Sequence, residues 1–267
     1  MTSPSAAANR AQDSTAFEVA ARVGYVVLGL LHLLIGVIAI SIATGSGGDS
    51  ADQSGALQKV AQAPAGVALL WVIIVGLAAL AVWQVAEAIV EQDPDAKKRW
   101  AHRAKFVGTA VAYAAIAVTA LTVALGGSSS SSQSSQTMSA TLLSNPAGVV
   151  LLVVIGLGVA AVGVAFVVRG FTKAFEKHLS TPGGTAGRGI RTFGMIGYIA
   201  KGVAVGVAGV LFVVAALTHD ASAAGGLDSA LRSLAALPFG QIVLWLVGAG
   251  LILYGLFCFA RARFARM

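Results

Sequence analysis

Charged side chains are scarce in this sequence. Only 11% of its 267 residues are Asp, Glu, Lys or Arg, against about a quarter in an ordinary soluble domain, so the chain cannot cover a water-facing surface. Cysteine is scarcer still. The single Cys258 lies in an apolar run, closes no intrachain disulfide and leaves the redox compartment unread. His32, His102, His178 and His219 are scattered, without metal-ligand spacing. There is no His-Glu-x-x-His, no nucleophile elbow and no phosphate loop. Gly156-x-Gly158 follows no strand, and Gly183–Gly189 lacks a Gly-Lys-Ser/Thr ending, so it reads as a flexible linker. Neither an enzyme nor a bound cofactor or metal is expected.

What the chain has instead is apolar length. Hydrophobic residues make up 57% of it, and the mean hydropathy is +0.84, which places it in the membrane-embedded class. A membrane-spanning helix needs about 20 largely apolar residues. Six segments meet that length: Ala20–Ile42, Ala65–Ala88, Ala104–Leu125, Ala147–Val168, Met195–Leu217 and Phe239–Ala260. Helix is the form expected, because lipid offers no partner to an unpaired peptide group and no period-2 alternation marks barrel strands. Residues 1–19 are polar and Ala/Ser-rich and read as a disordered tail, and the apolar run after them is too long for a signal peptide.

The net charge of +7 is distributed by side. All but Lys59 and Arg232 of the 18 Lys and Arg residues fall on one side: at the termini, in the connections after the second and fourth spans, or, as Arg22, Lys105 and Lys201, in the adjoining ends of spans. The remaining connections are acidic or, in Ser128–Ser135, an uncharged serine-rich tract. By the positive-inside rule, the basic side and both termini are expected to be cytoplasmic. The basic balance therefore reflects topology, and no nucleic-acid partner is expected. Membrane lipids are the expected partners, with other membrane proteins as a second class.

An internal repeat is the most specific signal. The second span of each pair opens with Pro-x-Gly and carries another glycine at fixed spacing: Pro64, Gly66, Gly76; Pro146, Gly148, Gly158; Pro238, Gly240, Gly250. A further small residue follows as Ala81, Gly163 and Gly255. In the first span, Gly24-Tyr25, Gly29 and Gly36 return as Gly197-Tyr198, Gly202 and Gly209, and in the middle copy as Lys105-Phe106, Ala110 and Ala117. Proline suits a first helical turn, and Asn145 is placed to cap the helix at Pro146. Short amphipathic stretches before each Pro-x-Gly, clearest at Gly55–Ala63 and Ser229–Leu237, read as half-helices at the outer interface. The units are residues 20–96, 97–182 and 183–267. Each crosses twice, so they are parallel repeats, expected to form an all-α six-helix bundle in a pseudo-threefold arrangement. Its packing surfaces would be Gly29, Gly36, Gly76, Gly158, Gly163, Gly202, Gly206, Gly209, Gly250 and Gly255.

This pattern of a Gly-Tyr start and a Pro-x-Gly second helix, three times over, resembles a bacterial family known as domain of unknown function 1206. The resemblance spans residues 17 to 266, and Lys105-Phe106 in the middle unit departs from it. It implies the fold and a bacterial inner-membrane location, and brings no activity or catalytic residues.

Three side chains stand out as functional candidates. His32 lies mid-span on the same face as Gly29 and Gly36, with Tyr113 and Val205 at equivalent positions. An ionisable residue inside a membrane is a functional candidate by default; the alternative is a neutral imidazole bridging helices. Glu87, equivalent to Arg169 and Arg261, could pair with either arginine or stay separately solvated. With small loops and few intramembrane charges, the expected function is a non-enzymatic scaffold or accessory subunit. The competing expectation is a channel or carrier for a small solute, ion or lipid along the repeat axis.

Overall fold

In a computed structural model, residues 15–46, 49–180 and 182–264 are described, with the side chains of 15–18, 20, 21, 177 and 178 excepted. Residues 1–14 of the expected disordered tail lie outside these. Thr15–Val19 do not belong to such a tail, because they open the first helix. Nothing in the Thr-Ala-Phe-Glu-Val run breaks a helix, so the apolar span extends backwards through it.

The described residues form nine α-helices: α1 Thr15–Ala43, α2 Gln53–Gln62, α3 Gly66–Val90, α4 Ala96–Ala124, α5 Ser131–Leu143, α6 Pro146–Phe171, α7 Gly184–Thr218, α8 Gly226–Ala235 and α9 Gly240–Phe264. Six of them are long and apolar enough to cross a membrane: α1, α3, α4, α6, α7 and α9. The short helices α2, α5 and α8 stand before the Pro-x-Gly turns. Their glycines have a mechanical reason. A Cβ on Gly66, Gly148 or Gly240 would strike a carbonyl of the preceding helix's last turn, Val60, Leu142 or Leu234. Only glycine lets the chain reverse that tightly. Asn145 caps α6 by accepting from Gly148 N at 2.8 Å, whereas Ala65 and Phe239 instead sit at φ +60°.

Two stretches are more ordered than expected. The serine tract becomes helical from Ser131, capped by Ser130 accepting from Gln133 N at 3.1 Å. The linker at Gly183–Gly189 is corrected too, since α7 begins at Gly184. Arg191 Nε there lies 3.4 Å from Glu176 Oε2, and Ile190 packs on the core around Phe175 and Tyr198. That tertiary anchorage holds a glycine-rich segment in helix against its weak propensity.

The strongest packing joins different repeats: α3 with α4, α6 with α7, and α9 with α1. Glycine makes the last two possible. A Cβ on Gly36 would lie 2.6 Å from Gly248 O, and one on Gly29 would lie 2.9 Å from Gly255 O. The equivalent pairs in α6–α7 are Gly209 with Gly156 O at 2.7 Å and Gly202 with Gly163 O at 2.6 Å. Backbones this close maximise dispersion contact where lipid supplies no hydrophobic drive. Within repeats, α1 packs on α3 and α7 on α9, whereas α4 and α6 make at most marginal contact. The helices thus run in contact order α4, α3, α1, α9, α7, α6, and the ring expected of three closed copies lacks its sixth contact.

The two ends of the bundle differ. At one end, the three loops bind each other in a cycle. Gln58 Nε2 donates to Ser129 O and Ser131 N to Ser54 Oγ, at 2.7 and 3.1 Å. Ser132 Oγ donates to Gly225 O and Gln136 Nε2 to Ser222 O, at 2.7 and 2.9 Å. Ala51 N donates to the buried Asp228 Oδ1 at 2.7 Å, and Arg232 Nη2 to Asp49 O at 3.1 Å. At the other end lie the start of α1, the end of α9 and the basic side chains other than Lys59 and Arg232 among the described residues.

Candidate functional site: an open flank and an inward basic cluster

The missing contact can be followed residue by residue. In the register of the repeats, Lys105, Gly108 and Ala112 of α4 correspond to Gly24, Val27 and Leu31 in α1 and to Gly197, Ala200 and Ala204 in α7. On the opposing helices, Gly158 and Val162 of α6 correspond to Gly76 and Leu80, and to Gly250 and Tyr254. Every one of these residues is buried in the outer repeats, and every one is exposed in the middle repeat. Leu31 and Ala204 are each 1% exposed and Tyr254 5%, whereas Val162 is 48% exposed.

The glycines report the same thing. A Cβ on Gly250 would collide with Ala200, and one on Gly76 would touch Val23 and Gly24 at 3.4 and 3.5 Å. Gly108 and Gly158 have nothing within 4 Å. Gly158 therefore departs from the packing role expected of it. Lysine at the position of Gly24 and Gly197 supplies a reason. Its long cationic side chain stands where the other repeats bring two backbones together. The flank between α4 and α6 is consequently open, and these are the least buried of the six spans.

Behind this flank the bundle carries cations. Arg261 donates to Tyr25 Oη at 3.0 Å and to Tyr198 Oη at 3.5 Å, with its guanidinium 4.3 Å from the Tyr25 ring centre. Lys201 Nζ donates to Tyr254 Oη at 3.4 Å and lies 4.5 and 5.1 Å from the rings of Tyr254 and Phe166. Arg169 stands 5.4 Å from the Tyr198 ring, and its buried Nε has no hydrogen-bond partner. Lys105 lies within electrostatic reach of both Arg169 and Arg261, as well as of Glu87 and Glu91. Among the described residues, no ion pair joins any of these four cations to a carboxylate. They are held by phenols and ring faces, which stabilise positive charge without neutralising it.

The sequence candidates distribute as follows. His32 is buried; its Nδ1 lies 2.7 Å from Leu28 O, and its ring packs on Tyr254 at 4.7 Å. It makes no ring contact with Tyr113, which is half-buried against the α1–α3 core and within electrostatic reach of Arg261. Val205 is half-buried. Glu87 is half-buried and forms no ion pair with Arg169 or Arg261. Of the other packing glycines, Gly206 meets only Gly163 Cα, at 4.0 Å, although a Cβ on Gly163 would lie 2.5 Å from Gly206 Cα. Two features escaped the sequence. Lys201 reads as one basic residue among many, although its position between Gly197 and Gly202, on a helix otherwise packed inward, is the signal that would have found it. Glu91, Asp93 and His102 bring three ligand-type atoms within 4.8 Å of one another in the α3–α4 turn. Glu91 Oε1 already accepts from Asp93 N at 3.2 Å and lies 3.3 Å from His102 Nδ1.

The family described as Domain of Unknown Function (DUF1206) matches the chain three times in tandem, over residues 23–91, 104–173 and 196–265. The chain is 31% identical over 250 residues to the uncharacterized protein YxxB of Bacillus subtilis (strain 168), covering 92% of this chain and 90% of that relative. No solved structure matches. Three family matches on the three repeats, with a relative alike over nearly its whole length, establish that this chain belongs to the DUF1206 family of membrane-type helical proteins.

Proposed function

We propose that this protein works by binding rather than by chemistry, as a non-enzymatic accessory or scaffold protein that holds another membrane component in the open flank between α4 and α6. In this reading the protein sits in a bacterial plasma membrane with both termini cytoplasmic, as the one-sided basic charge supports. The observation that carries the proposal is the contrast between repeats. The same face is closed by helix contact at Gly24–Gly76 and Ala200–Gly250, and open at Gly108–Gly158. A face of small residues that lacks its partner helix is a docking surface of the kind membrane proteins use for association.

The test compares wild type with Gly158→Leu after extraction in mild detergent, with mass spectrometry of the proteins and lipids that copurify. A Cβ at Gly158 would meet nothing within 4 Å, so leucine there projects into the flank. A component retained by wild type and lost from Gly158→Leu is expected; identical recoveries would defeat the reading.

The carrier reading draws support from the inward Lys201, His32 and Tyr254, and is opposed by the hydrogen-bonded loops across the far end. Uptake into proteoliposomes that disappears in His32→Ala would favour it over the accessory role.

A further inference from the structure

We infer that the α4–α6 flank is the lateral entrance to a binding site for the phosphate-bearing headgroup of an anionic lipid. This inference rests on the accessory reading and names the component held. The headgroup would sit among Lys105, Arg169 and Arg261, with Lys201 deeper, and an acyl chain would lie along Gly108, Ala112, Gly158 and Val162.

The positions of the charges carry the argument. Cations at the cytoplasmic ends of spans are ordinary, but those snorkel outward to water. Here Arg261 and Lys201 turn inward onto Tyr25, Tyr198 and Tyr254. Arg169, on the flank helix α6 and 5.4 Å from the Tyr198 ring, keeps a buried, unpartnered Nε. Buried donors without acceptors are costly and rare, and a phosphate oxygen is the acceptor that guanidinium geometry matches best. The phenols hold the arginines in place without competing as anions. Glu87 and Glu91 lie within reach of Lys105, and among the described residues no ion pair joins Arg169, Arg261 or Lys201 to a carboxylate.

The flank completes the match. It starts at Lys105 and continues along Gly108 and Ala112 on one wall, Val162 and Gly158 on the other. A headgroup at the basic end thus has an apolar path for its chain, open to the bilayer. A soluble phosphate would use the cations and ignore the path, so the two parts of the site discriminate between a lipid and a free anion.

The test is native mass spectrometry of the full-length protein in detergent, offered phosphatidylglycerol, phosphatidylcholine or inorganic phosphate. Wild type should retain phosphatidylglycerol in preference to phosphatidylcholine by roughly tenfold or more, given the electrostatic term expected from two or more basic side chains. Lys105→Gln/Arg169→Gln should lose the preference, and Gly158→Leu should lose the lipid altogether. Thermal unfolding of each variant checks folding, and Gly108→Leu is a second way to fill the flank. Equal retention of both lipids overturns the proposal, as does phosphatidylglycerol binding that survives both flank-filling changes. Phosphate alone, bound as well by Gly158→Leu as by wild type, overturns it in favour of a free-anion site. If Gly158→Leu loses a copurifying protein while phosphatidylglycerol retention is unchanged, this inference fails and the accessory reading stands.

Discussion

Gly76, Gly158 and Gly250 occupy one position of the repeat, yet alanine should affect them differently. A methyl on Gly250 runs into the Cβ of Ala200. That atom is fixed to the α7 backbone and cannot rotate away, so α7 and α9 must separate. Overpacking of this kind costs about 1–3 kcal/mol. At Gly76 the nearest atoms would be Val23 Cγ1 and Gly24 Cα, at 3.4 and 3.5 Å, which is ordinary contact. At Gly158 there is nothing within 4 Å, so only helix propensity acts, favouring alanine by up to about 1 kcal/mol. Stability should therefore rank Gly158→Ala at or above wild type, Gly76→Ala near it, and Gly250→Ala lowest. Gly158→Ala and Gly250→Ala should differ by about 1–3 kcal/mol, since the propensity gain is common to both and only overpacking separates them. At about 2–4 °C per kcal/mol for a chain of this size, detergent-solubilised protein in a fluorescence-detected thermal series resolves that ranking. Gly158→Ala as damaging as Gly250→Ala would show that α4 and α6 are in contact, and the open flank would be lost with it.

Ala65 holds φ +60° at the head of α3, where an L residue is strained by about 1–2 kcal/mol; Ala65→Gly should raise the melting temperature, and a fall would contradict the strain. Asp228→Ala leaves the buried Ala51 N–H without its 2.7 Å acceptor, at a cost of about 1–3 kcal/mol. Asp228→Asn keeps an acceptor oxygen and should be milder in chemical denaturation. His32→Ala removes the 4.7 Å ring contact with Tyr254 and should lower stability by about 0.5–1.5 kcal/mol, with partner association intact by copurification. For orientation, a cysteine at the exposed Ser134 in a Cys258→Ala background should label from outside intact cells, and one at Thr185 only after permeabilisation. The reverse pattern would invert the topology.

Much of the scaffold is legible in residues taken one span at a time. The bilayer solvates each helix separately, so length, hydropathy and the distribution of Lys and Arg each carry their message locally. The Pro-x-Gly turns are equally local: Gly66, Gly148 and Gly240 each answer to a carbonyl a few residues earlier. Repetition made the two-helix unit visible even where Lys105-Phe106 replaced Gly-Tyr. Hydropathy stopped short where amphipathicity was weak, as at Ser131–Leu143, whose helix depends on hydrogen bonds to the other two loops.

What tertiary structure alone decided is which surfaces meet. A glycine marks a place where a backbone could approach, but contact is a property of two helices. Gly250 and Gly158 read identically in sequence, and only one has a neighbour. The strongest pairs join successive repeats and close α9 onto α1, a choice that hydropathy, blind to direction around a helix buried among apolar surroundings, does not encode. The inward turn of Lys201 and Arg261 has the same origin. Position in the chain determined that these cations lie near the basic end of the bundle. Whether they meet water or the rings of Tyr25, Tyr198 and Tyr254 was settled by the packing of α1, α7 and α9.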